Sequence, residues 1–185
     1  MPVTHIKQHL LAMLIACHAV LFAGCATTPS PQSPEQAKQA DNIGPYPAFS
    51  GRLIVIEPNR RWQTLIDWQA PDKNHGSLRL THAASNTVVE FTWQGNNMQL
   101  RDNRHHEWRP LTLQQLAEHG IVIPPARLAS ILLGNMPPGF RSKSPNRWES
   151  SVAGTRIQLQ WQPETNRLTM IDSKHGRQAT LVIQP

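Results

Sequence analysis

Cysteine is the first shortage. The 185-residue chain has two, Cys17 and Cys25, and none after residue 25. Whatever folds downstream has no disulfide, no thiolate zinc site and no thiol nucleophile. The longest apolar run, Leu10 to Ala23, is too short for a comfortable membrane span. Acidic residues are also few, 12 Asp and Glu against 18 Lys and Arg. Lys7 is the only charged residue among the first 24, so the remainder stays basic. Its cations form small clusters, Arg60-Arg61, Arg101 with Arg104, and Arg141, Lys143 and Arg147, interspersed with acids. That pattern suits loose attraction to anionic surfaces, and without any nucleic-acid module it gives no nucleic-acid groove.

Catalytic motifs are absent too. There is no nucleophile motif, phosphate loop or zincin helix, so Asp102 and Glu107 have nothing to serve as an acid-base pair, and neither an enzyme nor a cofactor is expected. Nine histidines invite a metal, and His105-His106-Glu107 is the densest spot. Adjacent residues of a strand point to opposite faces, so His105 and His106 do not share one ion. They read as polar turn residues, and no metal site is expected.

What is present begins with a targeting segment. Residues 1–24 combine a polar start, Lys7 and an apolar run of secretory length, and read as a signal peptide. The run ends in Phe22-Ala23-Gly24-Cys25, which resembles the bacterial lipobox, whose cysteine is lipidated and becomes the first mature residue. Leu14-Ile15-Ala16-Cys17 fits that pattern better letter by letter but leaves too short an apolar run; length favours Cys25. Each buried CH₂ of an acyl anchor contributes about 0.8 kcal/mol, so several chains hold a domain at the membrane. Ala26 stands where, in the lipoproteins this segment resembles, an Asp retains the protein in the inner membrane, so the resemblance implies the periplasmic face of an outer membrane. Residues 25–47 are rich in Thr, Pro, Ser and Gln and read as a spacer, and 48–185 as the folded domain.

From Phe49 onward the texture is that of strands. Trp62, Thr64, Ile66 and Trp68 alternate with polar residues, and Ile157, Leu159 and Trp161 alternate with Arg156, Gln158 and Gln160. Six short strands are expected before residue 111, the last over Glu107 to Arg109, and four after residue 147. Their hairpin-short connections make the sheet antiparallel, and one-sided strands imply one buried face. Between the two runs lie two short helices. Thr112 and Gln115 form a capping box, with Leu111 and Leu116 as a hydrophobic staple, and Gly120 stops the first helix. Pro124-Pro125 opens the second, which carries Leu128, Ile131 and Leu132 at helical spacing and ends at Gly134. The expected fold is mainly β, a curved antiparallel half-barrel of about ten strands whose inner side receives the helices. Six tryptophans supply large apolar area, either as packed core or as the wall of a cavity.

Phe49-Ser50-Gly51-Arg52-Leu53, the Trp62 to Trp68 strand, Leu78-Arg79-Leu80-Thr81, and above all Gly120-Ile121-Val122-Ile123-Pro124 running on to Leu132-Leu133-Gly134-Asn135-Met136-Pro137 resemble the outer-membrane lipoprotein receptor family LolB. The resemblance covers nearly the whole folded part. It implies a half-open barrel closed by helices over an apolar cavity that takes lipoprotein acyl chains from a LolA-like periplasmic carrier and passes them to the outer membrane, with a monomer expected. The cavity would be lined by Trp62, Ile66, Trp68, Phe91, Trp93, Leu159 and Trp161 from the strands and Leu116, Leu128 and Leu132 from the helices. In the family a loop between two strands carries Pro-Leu-Gly, whose leucine serves membrane insertion. At the matching place stand Ala83, Ala84 and Ser85, and Ala84 offers far less apolar area. The other reading is a lipid-anchored envelope scaffold with the same half-barrel and a filled interior. A pocket of about 300 Å³ or more beneath the helices separates the two.

Overall fold

Alternation of apolar and polar residues over long stretches drives most of this chain into strands, because each such strand can bury one face and wet the other. The computed structural model describes residues 42–118, 123–152 and 154–185. Every described residue belongs to one compact unit. The signal peptide, Cys25 and the Gly120 to Val122 part of the motif lie outside the described residues.

Eleven strands make one open antiparallel sheet. The strands are β1 (Ala48–Glu57), β2 (Arg60–Asp72), β3 (His75–His82), β4 (Thr87–Gln94), β5 (Asn97–Asp102) and β6 (Arg109–Leu111), followed by β7 (Arg141–Ser144), β8 (Arg147–Val152), β9 (Thr155–Gln162), β10 (Arg167–Asp172) and β11 (Arg177–Gln184). Their order across the sheet is β6-β5-β4-β3-β2-β1-β11-β10-β9-β8-β7. Two meanders are therefore joined at the middle by the pairing of β1 with β11, from Ser50 opposite Gln184 to Ile56 opposite Gln178. The outer strands β6 and β7 are the two edges. The segment between them carries the helices α1 (Leu113–Glu118) and α2 (Pro125–Leu132) and links one edge to the other.

Strand β7 is the addition to the ten expected. Its sequence, Arg-Ser-Lys-Ser, has no apolar residue and is exposed throughout, so alternation cannot reveal it. Charge on an edge strand also discourages pairing with another chain. The strand expected over Glu107 to Arg109 lies instead at Arg109–Leu111, where Leu111 stands opposite Met98 and Pro110 sits on the outermost strand. Proline removes a ladder donor, which only an edge tolerates.

One hydrophobic core lies against one face of the sheet. Thr64, Ile66, Trp68 and Ala70 of β2 are all buried, while Leu65, Asp67 and Gln69 between them are exposed. Ile157, Leu159 and Trp161 of β9 repeat the pattern. Leu116 of α1 and Ile131 and Leu132 of α2 are fully buried. Each such aliphatic side chain contributes about 1.5–3 kcal/mol by leaving water. Packing also begins earlier than the composition suggests: Ile43, inside the stretch read as spacer, is fully buried in this core.

Candidate functional site

Strand register, more than sequence, decides which apolar residues meet. Phe49, Trp68, Leu78, Phe91 and Leu100 stand directly opposite one another across β1 to β5 and form one row on the inner face. A second row runs from Trp161 through Leu168, Leu181 and Leu53 to Thr64, crossing the central seam. A third runs from Trp148 through Leu159, Met170, Ala179 and Val55 to Trp62. The inner face is thus apolar in both directions, along strands by alternation and across them by register.

Aromatic rings knit the middle of that face. Phe49 stacks on Trp68 with centroids 6.1 Å apart, and Trp68 meets Trp93 at 5.1 Å. Tyr46, on the segment before β1, packs against both Phe49 and Trp161. The Trp93 indole N–H donates to the Lys73 carbonyl at 3.2 Å. The Trp68 indole N–H is buried without a partner among the described residues. An unpartnered donor in an apolar setting is costly, which makes this the least settled polar group of the inner face.

Of the residues expected to line a cavity, Ile66, Trp68, Trp93, Leu132, Leu159 and Trp161 belong to the single core cluster, with Leu128 partly buried at its margin. Phe91 and Leu116 are buried beside it, and Trp62 is half-buried. Trp68 is 1% exposed and Leu132 and Leu159 0%, so these side chains touch protein on every side. Phe49, Leu168, Leu181 and Ile183 complete the same face; their strands were legible, but only pairing shows that they share it.

The helices that cover this face are fastened at their ends. The Thr112 amide donates to Gln115 Oε1 at 2.9 Å and the Gln115 amide to Thr112 Oγ1 at 3.2 Å, the reciprocal bonds of a capping box. Helix α2 opens at Pro125 and ends with the Leu133 amide bonded to Ala129.

A hollow of about 830 Å³ lies elsewhere. Its lining includes Phe49, Trp68 and Phe91, but those are buried toward the core, so the side chains that face it are the alternate ones: Ser50, Asp67, Arg79, Glu90, Arg101 and Trp108. Ser50 donates to Asp67 at 2.8 Å, Arg101 and Arg79 both approach Glu90, and Arg101 lies over the Trp108 ring at 4.5 Å. Such a charged outer hollow does not suit hydrocarbon.

Ala83, Ala84 and Ser85 form the exposed turn between β3 and β4. His105 turns back on Asp102 rather than toward His106, and no group of metal-binding side chains occurs among the described residues. No helix among the described residues is long and apolar enough to cross a membrane.

No curated protein matches the chain. Among solved structures, a LolA superfamily protein from Nitrosomonas europaea is similar at 12% identity, with 80% of this chain and 89% of that chain covered and a TM-score of 0.46. The sequence profile described as outer membrane lipoprotein LolB matches residues 48–170, from the first residue of β1 into β10. With that match spanning both meanders and the helices between them, the chain belongs to the LolB family of outer-membrane lipoproteins, which serve lipoprotein localisation.

Proposed function

We propose that this protein accepts the acyl chains of lipoproteins from a LolA-like periplasmic carrier and places them in the outer membrane, to which a lipid on Cys25 holds it. The observation that carries the reading is the inner face. It is apolar along and across its strands, and its helical cover is two short helices rather than a second sheet. Hydrocarbon in water costs about 0.8 kcal/mol per CH₂, so an acyl chain gains by replacing α1 and α2 on that face. On this reading the described state is closed, and Leu132 occupies the surface that cargo would take. Trp62, Ile66, Trp68, Phe91, Trp93, Leu159 and Trp161 then line the opened site, with Leu128 at its lip. No step breaks a covalent bond.

A fluorescent fatty acid tests this directly. It should bind the protein and be displaced by a lipoprotein, and a host depleted of its own LolB should regain lipoprotein arrival at the outer membrane when it makes this chain. Ala84→Leu should improve that arrival by restoring an insertable side chain to the turn. Absence of probe binding under conditions where the fold is intact would overturn the reading.

The close packing of Trp68, Leu132 and Leu159 favours a second reading, a lipid-anchored envelope scaffold whose half-barrel stays filled. That protein would bind no fatty acid and rescue no depleted host.

A further inference from the structure

The face of the sheet turned away from the core carries the hollow of about 830 Å³, which the acyl-carrier reading leaves without a role. Register builds its floor from two rows. Ser50, Asp67, Arg79, Glu90 and Arg101 stand opposite one another across β1 to β5, so from Asp67 onward the charges alternate in sign. The row beside it, Ala48, Gln69, Ser77 and Thr92, is uncharged and mostly polar. Trp108 bounds the hollow beyond β5, and Gln184 bounds it on β11.

The charges of this lining cancel, Asp67 and Glu90 against Arg79 and Arg101, so neither a polyanion nor a polycation gains much by entering. Hydrocarbon is excluded by the same charged row. An extended peptide takes its main-chain partners from a sheet edge, whereas this floor consists of interior strands whose main-chain groups already pair on both sides. The ligand that fits is uncharged and rich in groups that both donate and accept.

The unpartnered groups of the hollow have that character. The side chains of Gln69, Ser77, Thr92 and Gln184 make no hydrogen bond among the described residues. Asp67 Oδ1 accepts the Ser50 hydroxyl at 2.8 Å, and Oδ2 has no partner among them. Amides and hydroxyls match the mixed donors and acceptors of sugar hydroxyls, and a carboxylate takes charge-assisted bonds from them. Arg101 lies over one face of the Trp108 ring at 4.5 Å and steadies it, while the indole stays 37% exposed. The face of an aromatic ring is electron-rich, and the C–H face of a pyranose packs on it as the edge of a second aromatic ring would.

We propose that this hollow binds an uncharged glycan, one pyranose ring resting on Trp108 and the hydroxyls of its neighbours bonding to Thr92, Ser77, Gln69 and Asp67. From Asp67 on β2 to Arg101 on β5 the floor crosses three strand spacings, about 14 Å, which calls for an oligosaccharide rather than a single sugar. The site lies on the opposite side of the sheet from the acyl-binding face and does not rest on the carrier reading.

The full chain carrying Cys17→Ser and Cys25→Ser, which leaves no acyl anchor, is titrated by calorimetry with the N-acetylglucosamine tetramer and with maltotetraose. Tetra-alanine and polyphosphate serve as controls. At least one oligosaccharide should bind saturably, and neither control should. Preference for the first probe identifies an N-acetylated glycan as the ligand, and preference for the second a plain hexose polymer. Trp108→Ala should weaken binding about tenfold or more while keeping the far-ultraviolet strand signal, and Trp108→Phe should stay within about threefold of the parent. Asp67→Ala should weaken it about tenfold by removing a charged acceptor. Gln158→Ala, on the outer face of β9, should leave the affinity unchanged. Failure of both oligosaccharides to bind, comparable binding of either control, or unchanged affinity in Trp108→Ala or Asp67→Ala overturns the proposal. Fatty-acid binding is measured on the same samples: its absence with oligosaccharide binding intact sinks the carrier reading and leaves the glycan site standing.

Discussion

The carbonyl oxygen of Leu132, the last residue of α2, accepts the backbone amide of Tyr46 at 2.7 Å. A helix end has carbonyls without partners, and here one is satisfied by the segment that leads into β1. The helical cover is thereby latched to the residues that enter the middle of the sheet. Gly44 lies so close that a Cβ on it would be 2.0 Å from the same oxygen, and its φ of +96° already favours glycine.

Gly44→Ala should therefore break the latch. The expected loss is about 2 kcal/mol or more of unfolding free energy, measured by urea denaturation, because steric overlap and backbone strain act together. An unchanged midpoint would show that the latch does not hold the cover.

Thr112→Ala removes the acceptor for the Gln115 amide and should cost about 1 kcal/mol. Six residues cannot hold a helix alone in water, so the loss falls on α1 itself. Faster amide exchange over residues 113–118 and quicker uptake of a fatty-acid probe are expected, with Thr112→Ser close to the parent in both. Slower uptake would mean that α1 is not part of the cover.

Gly76 lies beneath the Trp93 ring, where a Cβ would stand 2.2 Å from the indole and 2.6 Å from the Gln69 carbonyl. Gly76→Ala should expel the ring and cost about 1–3 kcal/mol, the usual range for overpacking. Near-ultraviolet circular dichroism should lose the coupling of Trp93 to Trp68 while the far-ultraviolet strand signal persists. Retention of both signals and of stability would contradict the packing described.

Three carboxyls sit below their ordinary range. Asp72 is lowered first by the His75 side chain and then by the Asn74 amide. Asp102 is lowered first by the His105 amide, and also by the Arg104 amide and the His105 ring. Glu57 is lowered first by its bond from Arg60, with Arg177 adding. Folded values below unfolded ones mean that each group stabilises the fold above the unfolded value, about pH 4, and that this is lost as pH falls through the folded value. The thermal midpoint should stay level from neutral pH to about pH 5 and drop below about pH 4. Asp72→Asn together with Asp102→Asn should flatten that drop; a midpoint that rises on acidification would reverse the sign.

Much of this architecture can be read in the letters, for identifiable reasons. Thr112 and Gln115 carry their partnership at fixed spacing, and Ile157, Leu159 and Trp161 announce a buried face because alternation is local. Strand β7 is silent, since Arg141 to Ser144 have nothing to alternate. Ile43 is hidden by the proline- and glutamine-rich stretch before it. The row joining Phe49 to Leu100 depends on register across four strand pairs, and no local pattern encodes register. Three turns share one spacing, Asp72 with His75, Asp102 with His105 and Asp172 with His175, each Asp accepting the amides of the second and third residues after it. That repeat is visible in the sequence, and its meaning as a turn clasp emerges only from the geometry.

The pairing of β1 with β11 divides the sheet into two leaves, strands β1–β6 and strands β7–β11, each folded by short hairpins of its own. A flexing motion about that spine would part or bring together the outer strands β6 and β7 without breaking a hairpin. The segment bearing α1 and α2 joins those two margins, so its length limits how far the leaves can spread. Strap and spine together give this fold the mechanics of a hinged clasp, worked from the edges.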